Sequence, residues 1–547
     1  MARLDRLGAA KEVAQIGAAI GREFSHALLA AVARKPEAEL GSALGRLLAA
    51  GLLFGQGVPP HATYLFKHAL VQDAAYGTLL RETRRMMHAR IAEALQQHSP
   101  EIAESQPELL GRHFSEAGLM PQAIRYLQMA GERAVKRSAN KEAVTHLEKA
   151  KELLEAMPER AAHTNQELQL LIALGPAMMA TRSSTAPEIG AVYARARELA
   201  RNAGRTADLF PTIWGAWLVA FSGGDLATAG RLLEQLFNVA DISGSDALML
   251  QAHHAAWPTL MVTGSLEQAR SHIADGLALY RREAHGTQAF QYGSHDPGVC
   301  AYFCDAVIGT VIGFPDQSEG QMQRALTLAH ELDHGPTLVA VLAFAAELHQ
   351  LRREPQKVEQ YVSLLLPRLE KHGSAVGLAN AIMLRGWAQV MQGDSKRGIA
   401  VVREGITAWR ATGSQFHATY RIARAAEAHW AAGETEAGLQ LIATTIDDSG
   451  DRWVAPELHR IKGELYRSAG HLELAEQCLK HALESARMQK ARLLELRAAM
   501  SLARLWRDQG KVRQASELLA PVCRWFTEGF DTRDLKEAKA LLEELAS

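Results

Sequence analysis

Seven glycines in this chain are each followed, five residues later, by a residue with almost no side chain. The pairs are Gly118 and Ala123, Gly224 and Ala229, Gly264 and Ala269, Gly393 and Gly398, Gly433 and Gly438, Gly470 and Ala475, and Gly510 and Ala515. Gly224 and Gly264 stand 40 residues apart, as do Gly393 and Gly433, and Gly470 and Gly510; 37 residues separate Gly433 from Gly470. A glycine can take the left-handed turn between two antiparallel helices, and the small residue five on lets those helices approach closely. The interval is slightly longer than the roughly 34 residues of a tetratricopeptide unit. Such a period predicts an all-α, helical-hairpin (TPR-like) solenoid over residues 107–547. Its clearest hairpin carries Leu458, Ile461, Leu465 and Tyr466, turns at Gly470, and returns with Ala475, Cys478, Leu479, Ala482 and Leu483; residues 496–518 make another. Each hairpin buries its apolar face only against its neighbours, and arrays of this kind expose a long concave surface. A curved inner face that binds a protein partner or a small-molecule signal is therefore expected. Segments 156–168 and 281–298 break the period, and the second, rich in glycine and proline, reads as a surface loop.

The first hundred residues have a different character. Residues 4–20 have helical periodicity, Phe24 with Ala27, Leu28 and Leu29 suggests a second short helix, and Pro36-Glu37 opens a third that presents Leu40, Ala43, Leu44, Leu47 and Leu48 until Gly51. Residues 52–54 and 63–66, separated by Gly55-Gln56-Gly57-Val58-Pro59-Pro60, read as a two-stranded wing. Three helices and a wing predict a small winged-helix domain over 1–80, with a connecting helix over 81–106. DNA binding is disfavoured, because the third helix offers only Arg46 against Glu37 and Glu39, and phosphate contacts supply most non-specific affinity. At Lys67-His68 the strand hands over to a helix, where unpaired backbone N–H groups favour an anion such as phosphate. The same placement also suits a helix-capping or core histidine. Arg81, Arg84, Arg85 and His88 then follow at i, i+3, i+4 and i+7, which places them on one face. That face is either ordinary solvated surface or a contact for an acidic partner.

The Phe66-Lys67-His68-Ala69-Leu70-Val71-Gln72-Asp73-Ala74-Ala75-Tyr76 segment resembles the winged-helix segment of bacterial STAND-type signalling ATPases. The resemblance is to those that join a class III adenylate/guanylate cyclase, an AAA-like ATPase and tetratricopeptide repeats. It extends along the chain through Arg3-Leu4-Asp5-Arg6-Leu7-Gly8, Gly17-Ala18-Ala19-Ile20-Gly21-Arg22-Glu23-Phe24, Pro107-Glu108-Leu109-Leu110 and Trp525-Phe526-Thr527-Glu528-Gly529-Phe530-Asp531. The resemblance implies that His68 stands where a winged-helix histidine contacts the phosphates of ADP in the resting state, with Lys67 as a second contact. It also implies a nucleotide-binding ATPase domain, a cyclase, or both as protein partners, sensed in trans.

Catalytic machinery of that family is not evident in the residues. A Gly-x-x-x-x-Gly-Lys-Ser/Thr phosphate loop is absent, since Leu505 stands where Gly510-Lys511 would need its upstream glycine and Val512 follows. No paired aspartates occur in a cyclase-like strand context, and the chain is expected to start beyond the family's cyclase and ATPase domains. No catalytic residue and no cofactor is therefore assigned. His295, Cys300 and Cys304 are soft metal-ligand types, with the cysteines on one helical face, but no fourth ligand is evident, and His253-His254 sit on neighbouring helical positions that point apart. The reading is of buried cysteines and no metal. Trp214, Trp217 and Phe221 at i, i+3 and i+7 read as core.

Composition closes other classes. Sixty Lys+Arg against 61 Asp+Glu leave a net charge of −1, so no global field draws the chain to nucleic acid or anionic membrane. Four cysteines are too few for a disulfide framework, the N-terminus lacks an apolar leader, and apolar runs such as 170–180 are too short to span a bilayer. A cytoplasmic, non-catalytic regulatory or sensor module of a STAND-type signalling protein is expected. The alternatives are the C-terminal part of a split or truncated adenylate cyclase/ATPase, and a free-standing repeat adaptor.

Overall fold

A computed structural model describes residues 8–547 except 99, 159–162, 183, 293–294, 373 and 444–450. The part of the first expected helix that precedes Gly8 lies outside the described residues. The chain is a helical-hairpin repeat protein with one small sheet, and it divides into two compact units, Met1–Leu174 and Gly175–Ser547.

In the first unit, helices Ala9–Ile20, His26–Ala33 and Glu37–Ala49 pack with an antiparallel sheet of order β1-β3-β2: β1 (Glu23–Ser25), β2 (Leu53–Gln56) and β3 (Thr63–Phe66). The sheet has three strands where the sequence suggests two. β1 is only three residues long, too short for an alternating pattern, and Phe24 pairs with Tyr64 in its centre. The Phe24 ring centroid also lies 5.8 Å from those of Tyr64 and Phe66, tilted against both, and Gly17 is required beneath it, because a Cβ there would sit 2.6 Å from the Phe24 ring. The apolar core continues without a break from Ala10 through Ile91 and Leu95 of the Arg81–His98 helix to Phe114, Ala123 and Tyr126. Neither residue 80 nor residue 106 is a boundary of this core, and the compact unit ends instead near Leu174.

His88 does not share the basic face expected for it. It is buried, its Nδ1 2.7 Å from Nδ1 of His113 and its Nε2 2.8 Å from the Tyr76 hydroxyl. The partners set the proton positions: Arg112 donates toward His113 Nε2, leaving His113 Nδ1–H to donate to His88 Nδ1, and His88 Nε2–H to donate to Tyr76. Burial, reinforced by the charges of Arg112 and Arg84, pushes His88 down to about 4; burial, Arg112 and His88 push His113 to about 3. Histidines held neutral in the native state take up protons only on unfolding. Their contribution is complete above the unfolded value of about 6.5 and is lost as pH falls toward 4. The expected result is a drop on the order of 3 kcal/mol per histidine between pH 7 and pH 4, read as hydrogen-exchange protection of residues 81–117. Protection that stays flat over that range would contradict the neutral pair.

In the second unit the glycine period takes physical form. All seven recurrent glycines have positive φ, from 75° at Gly118 in the first unit to 97° at Gly393, and the alanines five residues on are fully buried. The gap in the sequence series closes as well: Gly313 and Arg353, both left-handed, extend the 40-residue spacing back from Gly393, with Ser318 and Val358 buried five residues later. Segment 281–298, expected on the surface, has residues 281–284 exposed but turns His285, Gln288, Ala289, Tyr292 and Asp296 inward, with residues 293 and 294 outside the described residues. Tyr292 meets Phe210 and Trp214 edge-on, and Asp296 caps the Pro297–Ile312 helix while accepting a hydrogen bond from Tyr280. Trp214, Trp217 and Phe221 are core residues, as their spacing suggests.

The first helices of successive hairpins, from Asp246–Val262 to Arg492–Asp508, are buried nearly all round, whereas the second helices keep an exposed stripe. Hairpins far apart in sequence touch: Gln415 N–H donates to Ser222 O at 2.9 Å, Arg452 N–H to Val262 O at 2.7 Å, and Asp316 and Gln317 N–H groups to the Glu528 carboxylate. Between them lies a buried polar network in which Trp387 donates to Glu427, Asn380 to Glu347, and Arg424 to Asn380. At these contacts distant hairpins cover one another's inner helices.

Candidate functional site

β3 is the central strand, and its pleat sends Tyr64 and Phe66 into the core. Lys67 continues the strand, its N–H donated to Leu52 O at 3.0 Å, so its backbone is fixed while its side chain is exposed and lies 5.0 Å over the Phe54 ring. His68 is the last extended residue (φ −134°, ψ 139°) and the N-cap of the Ala69–Gly77 helix. Its carbonyl accepts from Val71 at 3.0 Å, but its ring makes no capping hydrogen bond and is exposed. The helix is held from its far side, where Gln72 donates to Ala18 O and Ala75 is buried. With Val71 N–H taken by the His68 carbonyl, the Ala69 and Leu70 amides are the ones with no carbonyl one turn before them. Around this corner Phe54 is 53% and Leu70 81% exposed. A cation, an imidazole and free amides between two apolar side chains can hold an anionic group and seat a protein surface around it.

A second basic feature lies in the same unit. Arg81, Arg84 and Arg85 line a groove of about 640 Å³ with Lys149, Ser115 and Glu116. Arg84 stacks 4.4 Å over the Tyr76 ring, while Lys149 pairs with Glu152 at 3.0 Å.

In the second unit, His295 and Cys300 come together with His254 from the Asp246–Val262 helix, and Cys304 lies beside Cys300; the sequence offers His254 only as the neighbour of His253 and does not pair it with His295, 41 positions on. His253 points away, as neighbouring helical positions do, and meets His272 at 2.9 Å beside Asp275. Among the described residues no helix is long and apolar enough to cross a membrane.

No family model matches the chain. An uncharacterized protein of Rhizobium meliloti (strain 1021) is 26% identical over 510 residues, which cover 92% of this chain and 49% of that protein. The chain thus spans about half the length of the curated relative it matches. Among solved structures it is similar, at 12% identity, to a Rap protein complexed with competence and sporulation factor (TM-score 0.43; 72% of this chain, 99% of that one). It is also similar, again at 12% identity, to the STAND protein with a tetratricopeptide repeat sensor from Pyrococcus horikoshii (TM-score 0.27; 98% and 64%) and to yeast Tom70 (TM-score 0.31; 84% and 96%).

Proposed function

We propose that this chain is the non-catalytic regulatory and sensor module of a STAND-type signal-transduction protein, acting in the cytoplasm. Residues 1–80 form a winged helix that faces a nucleotide-binding ATPase domain, and the repeats receive a protein partner or a small-molecule signal. The observation that carries this reading is the β3-to-helix corner. Lys67 and His68 are held on fixed backbone, exposed, and set beside the free amides of a helix N-terminus. In that position they suit the β-phosphate of an ADP presented by a partner domain. The Glu37–Ala49 helix, the one that would enter a DNA groove, has Arg46 alone in its last turn and Glu37 and Glu39 in its first, which speaks against nucleic acid.

Replacing His68 tests the assignment. A hydrogen bond to a charged group is worth about 1.5–3 kcal/mol, so His68→Ala should weaken ADP retention by the complex of this chain with its ATPase domain roughly ten- to a hundred-fold. The melting temperature of the chain alone should not change, because the ring makes no capping hydrogen bond and is exposed. A lowered melting temperature with unaltered ADP affinity would make the histidine structural. The free-standing adaptor reading rests on the repeats alone, and predicts that no nucleotide state of an ATPase domain changes binding.

A further inference from the structure

We infer that His254, His295, Cys300 and Cys304 form a zinc site at the point where the repeat period is interrupted. His254 lies on the Asp246–Val262 helix, His295 just before the Pro297–Ile312 helix, and the two cysteines one turn apart on that helix. The Nε2 atoms of the two histidines are 3.2 Å apart and the two Sγ atoms 3.9 Å apart. Zinc bonds of about 2.0–2.1 Å to nitrogen and 2.3 Å to sulfur, in a tetrahedron, place two nitrogens about 3.3 Å apart and two sulfurs about 3.8 Å apart. Both separations fit. The donor atoms of His254, His295 and Cys300 all lie within 4.8 Å of one another; Cys304 Sγ, 3.9 Å from Cys300 Sγ, lies outside that mutual set and completes it by a turn of its side chain.

The surroundings orient these donors as a metal site requires. Gln251 gives its amide hydrogen to Gln288, which turns its Oε1 toward His254, where it accepts from Nδ1–H at 2.9 Å. Gln288 is itself held by donating to Ala247 O. His254 therefore carries its proton on Nδ1 and directs the Nε2 lone pair at the site, the tautomer selection that outer hydrogen bonds perform for zinc-bound histidines. Trp257 Nε1–H donates to Cys300 Sγ at 3.4 Å, a contact that favours a thiolate. Cys300, Cys304 and His254 are buried, walled by Trp214, Trp257 and Phe303, whereas His295 is half-buried and leaves a path for the ion. Two sulfurs and two imidazole nitrogens in a closed site select zinc among common divalent ions, and a closed set of four is structural, not catalytic. The ion would tie the segment before Pro297 to the Asp246–Val262 helix, adding to the Gln288 contacts with Gln251 and Ala247.

The test uses the full chain. Zinc is measured by elemental analysis after purification, then removed with a chelator under reducing conditions and replaced by cobalt(II). The inference expects stoichiometric zinc, and a cobalt spectrum with the intense visible bands of a tetrahedral site and a thiolate-to-cobalt charge-transfer band. Cys300→Ser and His254→Asn should lose zinc, Cys304→Ser should halve the charge-transfer intensity, and Gln251→Ala should weaken zinc binding about 10–100-fold. His272→Ala, in the separate His253–His272–Asp275 group, should change none of these readings. The unsubstituted chain decides the matter even where a core variant fails to fold. If it holds no zinc above the Cys300→Ser level, or its cobalt spectrum lacks the thiolate band, the convergence is only a pair of histidines sharing a hydrogen bond beside two packed thiols.

Discussion

Arg497→Met is expected to cost about 3–5 kcal/mol of stability, the range measured when one partner of a buried ion pair is removed. Arg497 is 5% exposed and makes a bidentate pair with Asp534, at 3.1 and 2.7 Å, a third hydrogen bond to Glu457 at 3.2 Å, and a short one to the Leu351 carbonyl. One guanidinium thus joins the Gly335–Leu351, Ala455–Ser468, Arg492–Asp508 and Arg533–Ala546 helices. Arg353 also reaches Asp534, at 3.1 Å, so the carboxylate keeps one partner and the lower end of the range applies. Lysine should not rescue the variant, since it cannot reproduce the planar fork. Burial on its own would raise the Asp534 carboxyl, but the Arg497 charge and its hydrogen bonds, with Arg353, hold it below the usual range. Glu457, opposed by burial but flanked by Arg460 and Arg497, is pushed down to about 2. Carboxylates depressed in the native state stabilise it above their unfolded values near 4, and that share is lost as pH falls toward 2. A urea titration showing less than about 1 kcal/mol of loss for Arg497→Met would mean that the charges are solvated and the network is not structural.

Gly398→Val should be the most damaging of the glycine substitutions, at about 3 kcal/mol or more. In the Ala375–Met391 and Ser395–Ala411 hairpin the backbones themselves touch. A Cβ on Gly398 would stand 2.7 Å from both Gly386 O and Val390 N, and a Cβ on Gly386 would stand 2.7 Å from Val402 N. Side chains can rotate away from such a contact, but backbone cannot, so the two helices would have to separate. Overpacking of this kind typically costs about 1–3 kcal/mol, more where relief is blocked, and the gain of up to about 1 kcal/mol from removing a helical glycine does not offset it. Two other glycines calibrate the effect. Gly393 has φ 97° with nothing within 4 Å of a Cβ, so Gly393→Ala should cost only the left-handed penalty of about 1–2 kcal/mol. Gly41, helical with open space beside it, should gain from alanine. If Gly398→Val unfolds at the same denaturant concentration as Gly41→Ala, the close helix crossing is not present in solution.

The repeat period was readable because glycine marks a left-handed turn and a small residue marks a helix crossing, both in the same 40-residue frame. Where other residues take those roles the period fades: Ser138 and Arg353 adopt φ of 57° and 59° despite their side chains, and Ser318 and Val358 replace the alanine. Ser138 and Arg353 bear a conformational cost that no composition rule signals. Helical spacing placed His88 on one face with the arginines, and it could not tell that this face, exposed at Arg81 and Arg85, is covered farther along the helix, where Tyr76 and His113 meet His88. Lys67 and His68 were visible as a strand-to-helix junction, since that feature is local. His254 was not, because its partnership with His295 and Cys300 depends on two helices meeting. The covering of the inner helices likewise arises from contacts such as Ser222 with Gln415. No periodicity within one hairpin reports that distant hairpins touch.

The central claim is that this chain responds to the nucleotide state of an ATPase domain through Lys67 and His68. Its most direct measurement immobilises the full chain and titrates onto it a nucleotide-binding ATPase domain of a STAND-type protein, loaded with ADP or with a non-hydrolysable ATP analogue. The account predicts that the ADP form binds at least about tenfold more tightly, and that Lys67→Ala with His68→Ala removes the difference while leaving the chain folded. Equal affinity in both nucleotide states, or a preference for ADP that survives the double substitution, would contradict it.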